Sequence, residues 1–307
     1  MTFTPGQVDL GIACNKWQNV QWWQGVMLEV MRAQARGIKI DKIHAVSSAM
    51  PDHSKNKMLD DKQPQRYQPK APADEKRESK TDANRNKILN GFLYGTSEWL
   101  WFLDDDTVPP EGALEMLLSL NHPAVAGIYF LAKSPHNPIA YMRGDDGLYS
   151  ALWNYPHAGI IEVDSVGMGC TLVHRSVFEK LQREFVTFQR ASGALYPVHR
   201  SRIDVASLPE AKSKTITGGT ERVNRMELII PLAHVHPDDP RPWPFFLMEH
   251  GRTEDHFFWE LVAQVGIRPR LDTSILCRHI RELDFGWEHH HQAREATKDQ
   301  WMPTQKN

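Results

Sequence analysis

Three consecutive carboxylates, Asp104-Asp105-Asp106, follow the apolar run Glu98-Trp-Leu-Trp-Phe-Leu103. Like charges ~4 Å apart repel, and the repulsion grows as water is excluded. In an open α/β sheet, ligands gather at the carboxyl ends of the strands. A divalent cation there would relieve the crowding, and the diphosphate of a sugar nucleotide would complete its oxygen shell. Such a cation acts as a Lewis acid on a departing diphosphate. The plainer alternative is a helix cap: Asp106 or Thr107 could cap a helix beginning near Pro110, where acids suit the dipole.

A second acidic pair stands in Thr253-Glu254-Asp255-His256. It opens a helical pattern whose apolar face is Phe257, Phe258, Leu261, Val262 and Val265. Thr253 is a good N-cap and both acids suit a first turn. The sharper reading makes Asp255 a general base that takes the proton of an attacking hydroxyl, with Glu254 supporting acceptor or fold. On the donor side, Asn15 follows a first strand and Ser47 ends a second. Asn84 and Arg85 lie in the first turn of the next helix, where they face a nucleotide or else serve as cap and solvated charge. Gly167-Met168-Gly169 permits a close backbone approach to a ligand or marks a strand bulge. Trp153, Trp243 and Phe245 offer flat faces to a sugar ring, or belong to the core. His279, in Cys277-Arg278-His279-Ile280, is by itself an ordinary structural histidine.

These residues need a scaffold. Residues 7–14 read as a buried strand, 19–36 as a helix and 38–46 as a second strand, a β-α-β start that implies a parallel, helix-covered sheet. Further helices are expected over 81–94, 110–120, 175–181 and 253–265. Further strands are expected over 98–103, 124–130 and 267–276, with a Gly-interrupted strand over 163–174 and hairpins over 133–158. Residues 51–80 are polar and Pro-rich and read as a mobile insertion. Residues 183–225 read as a polar insertion on the acceptor side, and 288–307 as a polar tail, loose or a peripheral helix. The triple His289–His291 reads as tail composition.

The chain has 307 residues, 41% hydrophobic and 24% charged, with a formal net charge of -2. A packed core is expected and global disorder is not. The charge requires neither nucleic acid nor an acidic membrane as partner. Three scattered cysteines, none in a CxxC pair, argue against a disulfide framework or a cysteine zinc site. No signal peptide or apolar membrane span is read, so a cytoplasmic setting is the default.

The strand leading into Asp-Asp-Asp-Thr-Val-Pro-Pro, then a helix, then Ala124-Val-Ala-Gly-Ile-Tyr-Phe130, resembles the GT-A glycosyltransferases, family 2-like members in particular. The resemblance covers roughly residues 8–280 outside the two insertions. It implies a single α/β GT-A domain over 1–287, Rossmann-like, with a mostly parallel sheet flanked by helices. It implies Mn²⁺ or Mg²⁺ and a nucleotide-sugar donor, a UDP-sugar by preference. Carried over, Asp104 faces ribose and metal, Asp106 binds the metal, and His279 completes its shell, an imidazole favouring Mn²⁺. Asp105, the middle position, joins the nucleotide side. Glu254-Asp255 resembles the acidic pair of inverting enzymes, whose aspartate is the base, and Gly167–Gly169 would lie beneath donor sugar and acceptor. The acceptor stays open among glycan, protein, small molecule and hydroxylated DNA base. Two other readings remain: a nucleotidyltransferase, though Ala13–Trp17 lacks the Gly-rich basic loop, and a non-catalytic protein that binds sugar nucleotides or carbohydrate.

Overall fold

The computed structural model describes residues 6–14, 20–47, 80–131, 135–190, 195–202, 226–230, 243–248, 252–280, 284–285 and 287–296. The insertion read over 51–80, all but Lys80, lies outside them, as do Asn15 and residues 203–225. In chain order the elements are β1 (Val8–Cys14), α1 (Val20–Ala35), β2 (Ile40–Ser47), α2 (Lys80–Tyr94), β3 (Trp99–Asp104), β4 (Thr107–Val108), α3 (Ala113–Ser119) and β5 (Ala124–Ile128). They continue as β6 (Ala140–Arg143), β7 (Tyr149–Ala151), β8 (Ile160–Glu162), β9 (Ser165–Val166), β10 (Cys170–His174), α4 (Arg175–Glu184), β11 (Phe185–Arg190) and β12 (Leu195–His199). The last are β13 (Met226–Ile230), α5 (Glu254–Gln264), β14 (Arg270–Leu276), β15 (Arg278–Ile280), β16 (Asp284–Phe285) and α6 (Trp287–Ala296).

A seven-stranded sheet, ordered β2-β1-β3-β10-β5-β14-β8, carries the fold. Strands β2, β1, β3, β5 and β14 run one way, while β10 and β8 run against them. The sheet is therefore mostly parallel, with one antiparallel strand at its centre. Its middle strands are buried on both faces, which explains their unbroken apolar sequences. Alternate residues of β3 serve opposite cores: Leu100 and Phe102 face one, Trp99, Trp101 and Leu103 the other. The first core takes Ile88, Leu89 and Phe92 of α2, Phe178 of α4 and Phe258 of α5. The second takes Trp22 and Val26 of α1 with Leu114 and Leu117 of α3. Helices thus cover both faces. No helix among the described residues is long and apolar enough to cross a membrane.

Several expectations change. The helix expected from Pro110 starts at Ala113, with Gly112 as N-cap at φ 76°. Glu29 of α1 accepts from the backbone N–H of Gly112 (3.0 Å) and of Leu114 (3.3 Å). The carboxylate at that helix end therefore comes from α1, and Asp106 and Thr107 do not cap it. The strand expected over 163–174 divides into β9 and β10 around Gly167–Gly169. Within the region read as a polar insertion, β11 and β12 pair as a hairpin, and β13, just beyond it, adds a third strand. The tail takes the helical of its two expected forms in α6, but its His290 is 1% exposed. The imidazole stacks on Phe130 at 4.2 Å, so this histidine is core, not tail composition.

Candidate active site

Four chain segments meet at one end of the sheet. Strands β3, β5 and β14 point their carboxyl ends there, and antiparallel β10 begins there, with Cys170 opposite Leu103. The Asp104 N–H donates to the Gly169 carbonyl at 3.2 Å, joining the acid loop to the glycine segment. The loop is held on its other side by Trp22, whose indole N–H donates to the Thr107 carbonyl at 2.8 Å. Thr107 and Val108 pair with β15, and the Ile280 N–H reaches the Asp106 carbonyl at 2.6 Å. Neighbouring backbone thus brings Asp106 and His279 together.

Arg85 lies at the centre. Only 2% exposed, it projects from α2 into a ring of carboxylates. Its Nη2 donates to both Asp104 oxygens, at 2.9 and 3.1 Å. Its Nη1 donates to Glu254 Oε1 at 2.8 Å and also to Asp255 Oδ1. Burial works against its charge, but Asp104, Asp255 and Glu254 hold it protonated well beyond the ordinary guanidinium range. Arg85 is therefore no solvated charge, and its two nitrogens point at acids. Asn84 beside it is 1% exposed, so it is no exposed cap, and its Nδ2 has no hydrogen-bond partner among the described residues.

Burial raises the Asp104 carboxyl above its usual range, with Arg85 opposing and Asp106 adding. The Asp255 carboxyl is pushed up to about 8, chiefly by burial, with Arg85 opposing and Glu254 and Asp104 adding. It also accepts from the Met168 backbone N–H. Thr253 occupies the N-cap of α5 without a side-chain capping bond. Glu254 and Asp255 fill the first turn, so the helix-end role and the role in the cluster coexist. His279 Nε2 stands 3.0 Å from Asp106 Oδ2, and its Nδ1 contacts the Phe130 carbonyl at 2.8 Å. A carbonyl only accepts, so Nδ1 carries the hydrogen. Asp105 is 8% exposed beside them.

The glycines are explained by Tyr129. Its hydroxyl accepts from the Gly169 N–H at 3.0 Å. A Cβ on residue 167 would fall 2.0 Å from that hydroxyl, and one on residue 169 would fall 2.7 Å from the ring. Met168 is fully buried. Ser47 ends β2 at the same end of the sheet as Asp104, in register through β1. Trp243 does not join the site as a flat platform: it is 2% exposed and its ring lies 3.6 Å from Phe245, so aromatic packing claims it. Tyr129, Tyr141 and His256 were not picked out from sequence. Burial raises the Tyr141 hydroxyl to about 12, and the Asp255 charge adds to it. Burial lowers His256 to about 4; it stacks on Tyr149 at 4.2 Å and meets the Ser165 hydroxyl at 2.7 Å. Single aromatic residues among many carry no local signal for such roles.

No protein-family model matches the chain, and no curated protein matches it. Among solved structures it is similar to A197 from STIV, at 15% identity and a TM-score of 0.42, over 90% of this chain and 86% of that one. So loose a likeness carries no argument.

Proposed function

We propose that the chain is a GT-A type glycosyltransferase that moves a sugar from a nucleotide sugar, a UDP-sugar by preference, to an acceptor hydroxyl with inversion. One observation carries this reading. A single buried guanidinium joins Asp104, from the acid triplet, to Glu254 and Asp255, from the second acidic motif. Two motifs far apart in the sequence thus face one another at the carboxyl end of a mostly parallel sheet, where such folds take ligands.

The donor set fits a divalent cation at Asp106 and His279. With Nδ1–H committed to the Phe130 carbonyl, a neutral His279 would turn its Nε2 lone pair on a carboxylate oxygen 3.0 Å away. A shared proton or a cation removes that conflict. Among the described residues no three His, Cys, Asp or Glu side chains form a group that could hold a metal ion alone. Asp104, committed to Arg85, is thereby the weakest of the three ligands expected, and donor oxygens would supply the remainder of the shell. When bound, Mn²⁺ or Mg²⁺ supplies charge neutralisation for the departing diphosphate.

The chain's own residues do the rest. Asp255 takes the acceptor proton, since a base with a carboxyl near 8 is matched to near-neutral work. The Met168 N–H and Arg85 hold that carboxyl in one orientation. Gly167 and Gly169 keep the segment thin against Tyr129.

The test is a screen of nucleotide sugars with Mn²⁺, scored by free nucleoside diphosphate, together with calorimetry of UDP. Asp106→Asn and His279→Ala should weaken Mn²⁺-dependent UDP binding. Asp255→Asn should keep it while turnover falls by about 10²–10⁴. Full turnover in Asp106→Ala, or no UDP binding to the wild type with Mn²⁺, would end the proposal.

A further inference from the structure

Arg85 does more than neutralise charge. Its Nη1 serves Glu254 and Asp255 on α5, and its Nη2 serves Asp104 after β3. The planar guanidinium fixes the angle between those two directions. Its Nε is buried without a partner among the described residues, so the side chain's hydrogen bonds all run through the two terminal nitrogens to these acids. A lysine would offer one point charge in place of a fork.

We infer that Arg85 is a positioning residue linking the two halves of the site: it aims Asp255 at the acceptor hydroxyl and shares that hold with Asp104. The inference deepens the glycosyltransferase reading and rests on it for the meaning of Asp255. Sharing is the essential part. Arg85 attracts the Asp255 charge while Asp104 and Glu254 repel it, so whatever takes up the Asp104 charge removes a repulsion and leaves the guanidinium's attraction less opposed. Among the described residues, the groups facing Asp255 are Arg85 from α2, Asp104 from the end of β3, Glu254 from its own helix, the Tyr129 and Tyr141 hydroxyls from β5's end and β6, and the Met168 N–H. Arg85 is the one cation in that set, and the acids oppose ionisation of Asp255.

The test reads the proton on Asp255 directly and needs no substrate. The full chain is labelled with ¹³C at aspartate carboxyls, and Asp255→Asn identifies the Asp255 signal. Arg85→Met should raise its titration midpoint by at least one pH unit, about tenfold in proton affinity. Arg85→Lys should raise it less. Asp104→Asn keeps Arg85 but removes a competitor, and it should lower the midpoint. That variant carries the test if Arg85→Met does not fold. An unmoved midpoint in a folded Arg85→Met protein, or in Asp104→Asn, overturns the inference. The outcome is separable from the functional reading: a wild type that neither binds UDP nor releases it defeats that reading and leaves the titration untouched.

Discussion

At the scale of single residues, the site pairs Asp104, Glu254 and Asp255 with Arg85 and Asp106 with His279, and the Asp255 pairing makes its pH behaviour predictable. The Asp255 carboxyl sits near 8 in the folded protein, above the ordinary value of 3.8. Its raised value favours the protonated form, so the base becomes available only as pH rises. The expected profile of kcat/KM climbs through neutrality and levels above about pH 8, and Asp255→Asn should abolish that limb. A pH–rate series on both proteins checks it. Gly167 gives a second outcome. Its missing Cβ makes room for the Tyr129 hydroxyl, so Gly167→Ala should cost about 1–3 kcal/mol of stability by overpacking. Tyr129→Phe in the same chain should recover part of that, read as non-additive melting temperatures in a double-mutant cycle. The Asp104–Asp106 triplet and the Glu254-Asp255 pair were legible in the sequence because each abuts a strongly patterned element. The role of Arg85 was not. Its partners lie 19 and 170 residues away, and no local pattern reports that distance. Trp243 shows the same limit, since a tryptophan reads alike whether it lines a pocket or fills a core.

At the scale of elements, short connections fasten the site to the sheet. The segment 243–248 has no regular secondary structure, yet it is held to α2 by Asn86. The Asn86 amide donates to the Phe246 carbonyl at 2.7 Å and accepts from the Phe246 N–H at 3.0 Å. Asn86→Ala leaves both backbone groups buried without partners. It should lower unfolding free energy by about 3 kcal/mol, measured by urea denaturation. Arg175 plays a related part at the other end of α2, donating to the carbonyls of Ser97, Leu93, Phe92 and Gly95. Strand existence was legible from apolar runs such as Cys170–His174. Strand direction was not, because a strand covered on both faces reads the same either way. The reversal of β10 is a tertiary outcome: it brings Gly167–Gly169 to the end of the sheet where Asp104 lies.

At the scale of the molecule, the sheet carries a buried polar cluster away from the site. Asp9 of β1 is fully buried, accepting from Ser97 at 2.6 Å and meeting His44 Nε2 at 2.7 Å. Burial would raise its carboxyl, but the bonds to His44 and Ser97 prevail and hold it below the usual 3.8. A depressed folded value means stability that is present above the unfolded value and lost as pH falls through the folded one. Thermal melts from pH 6 to pH 3 should show the wild type losing its advantage over Asp9→Asn below about pH 4. The α/β architecture with helices on both faces was legible from the β-α-β start. The β6–β7 pair was legible as a hairpin within 133–158. The small sheets β12-β11-β13 and β16-β15-β4 were not, since strands of two to six residues carry little periodic signal. The interleaved strand order also bears on synthesis. The acids at 104–106 leave the ribosome long before their partners at 254, 255 and 279, a delay of about 10–30 s at ordinary translation speeds. Arg85 precedes every one of them. The nascent chain therefore already carries a counter-ion for Asp104 while the second half of the acidic cluster is still being made.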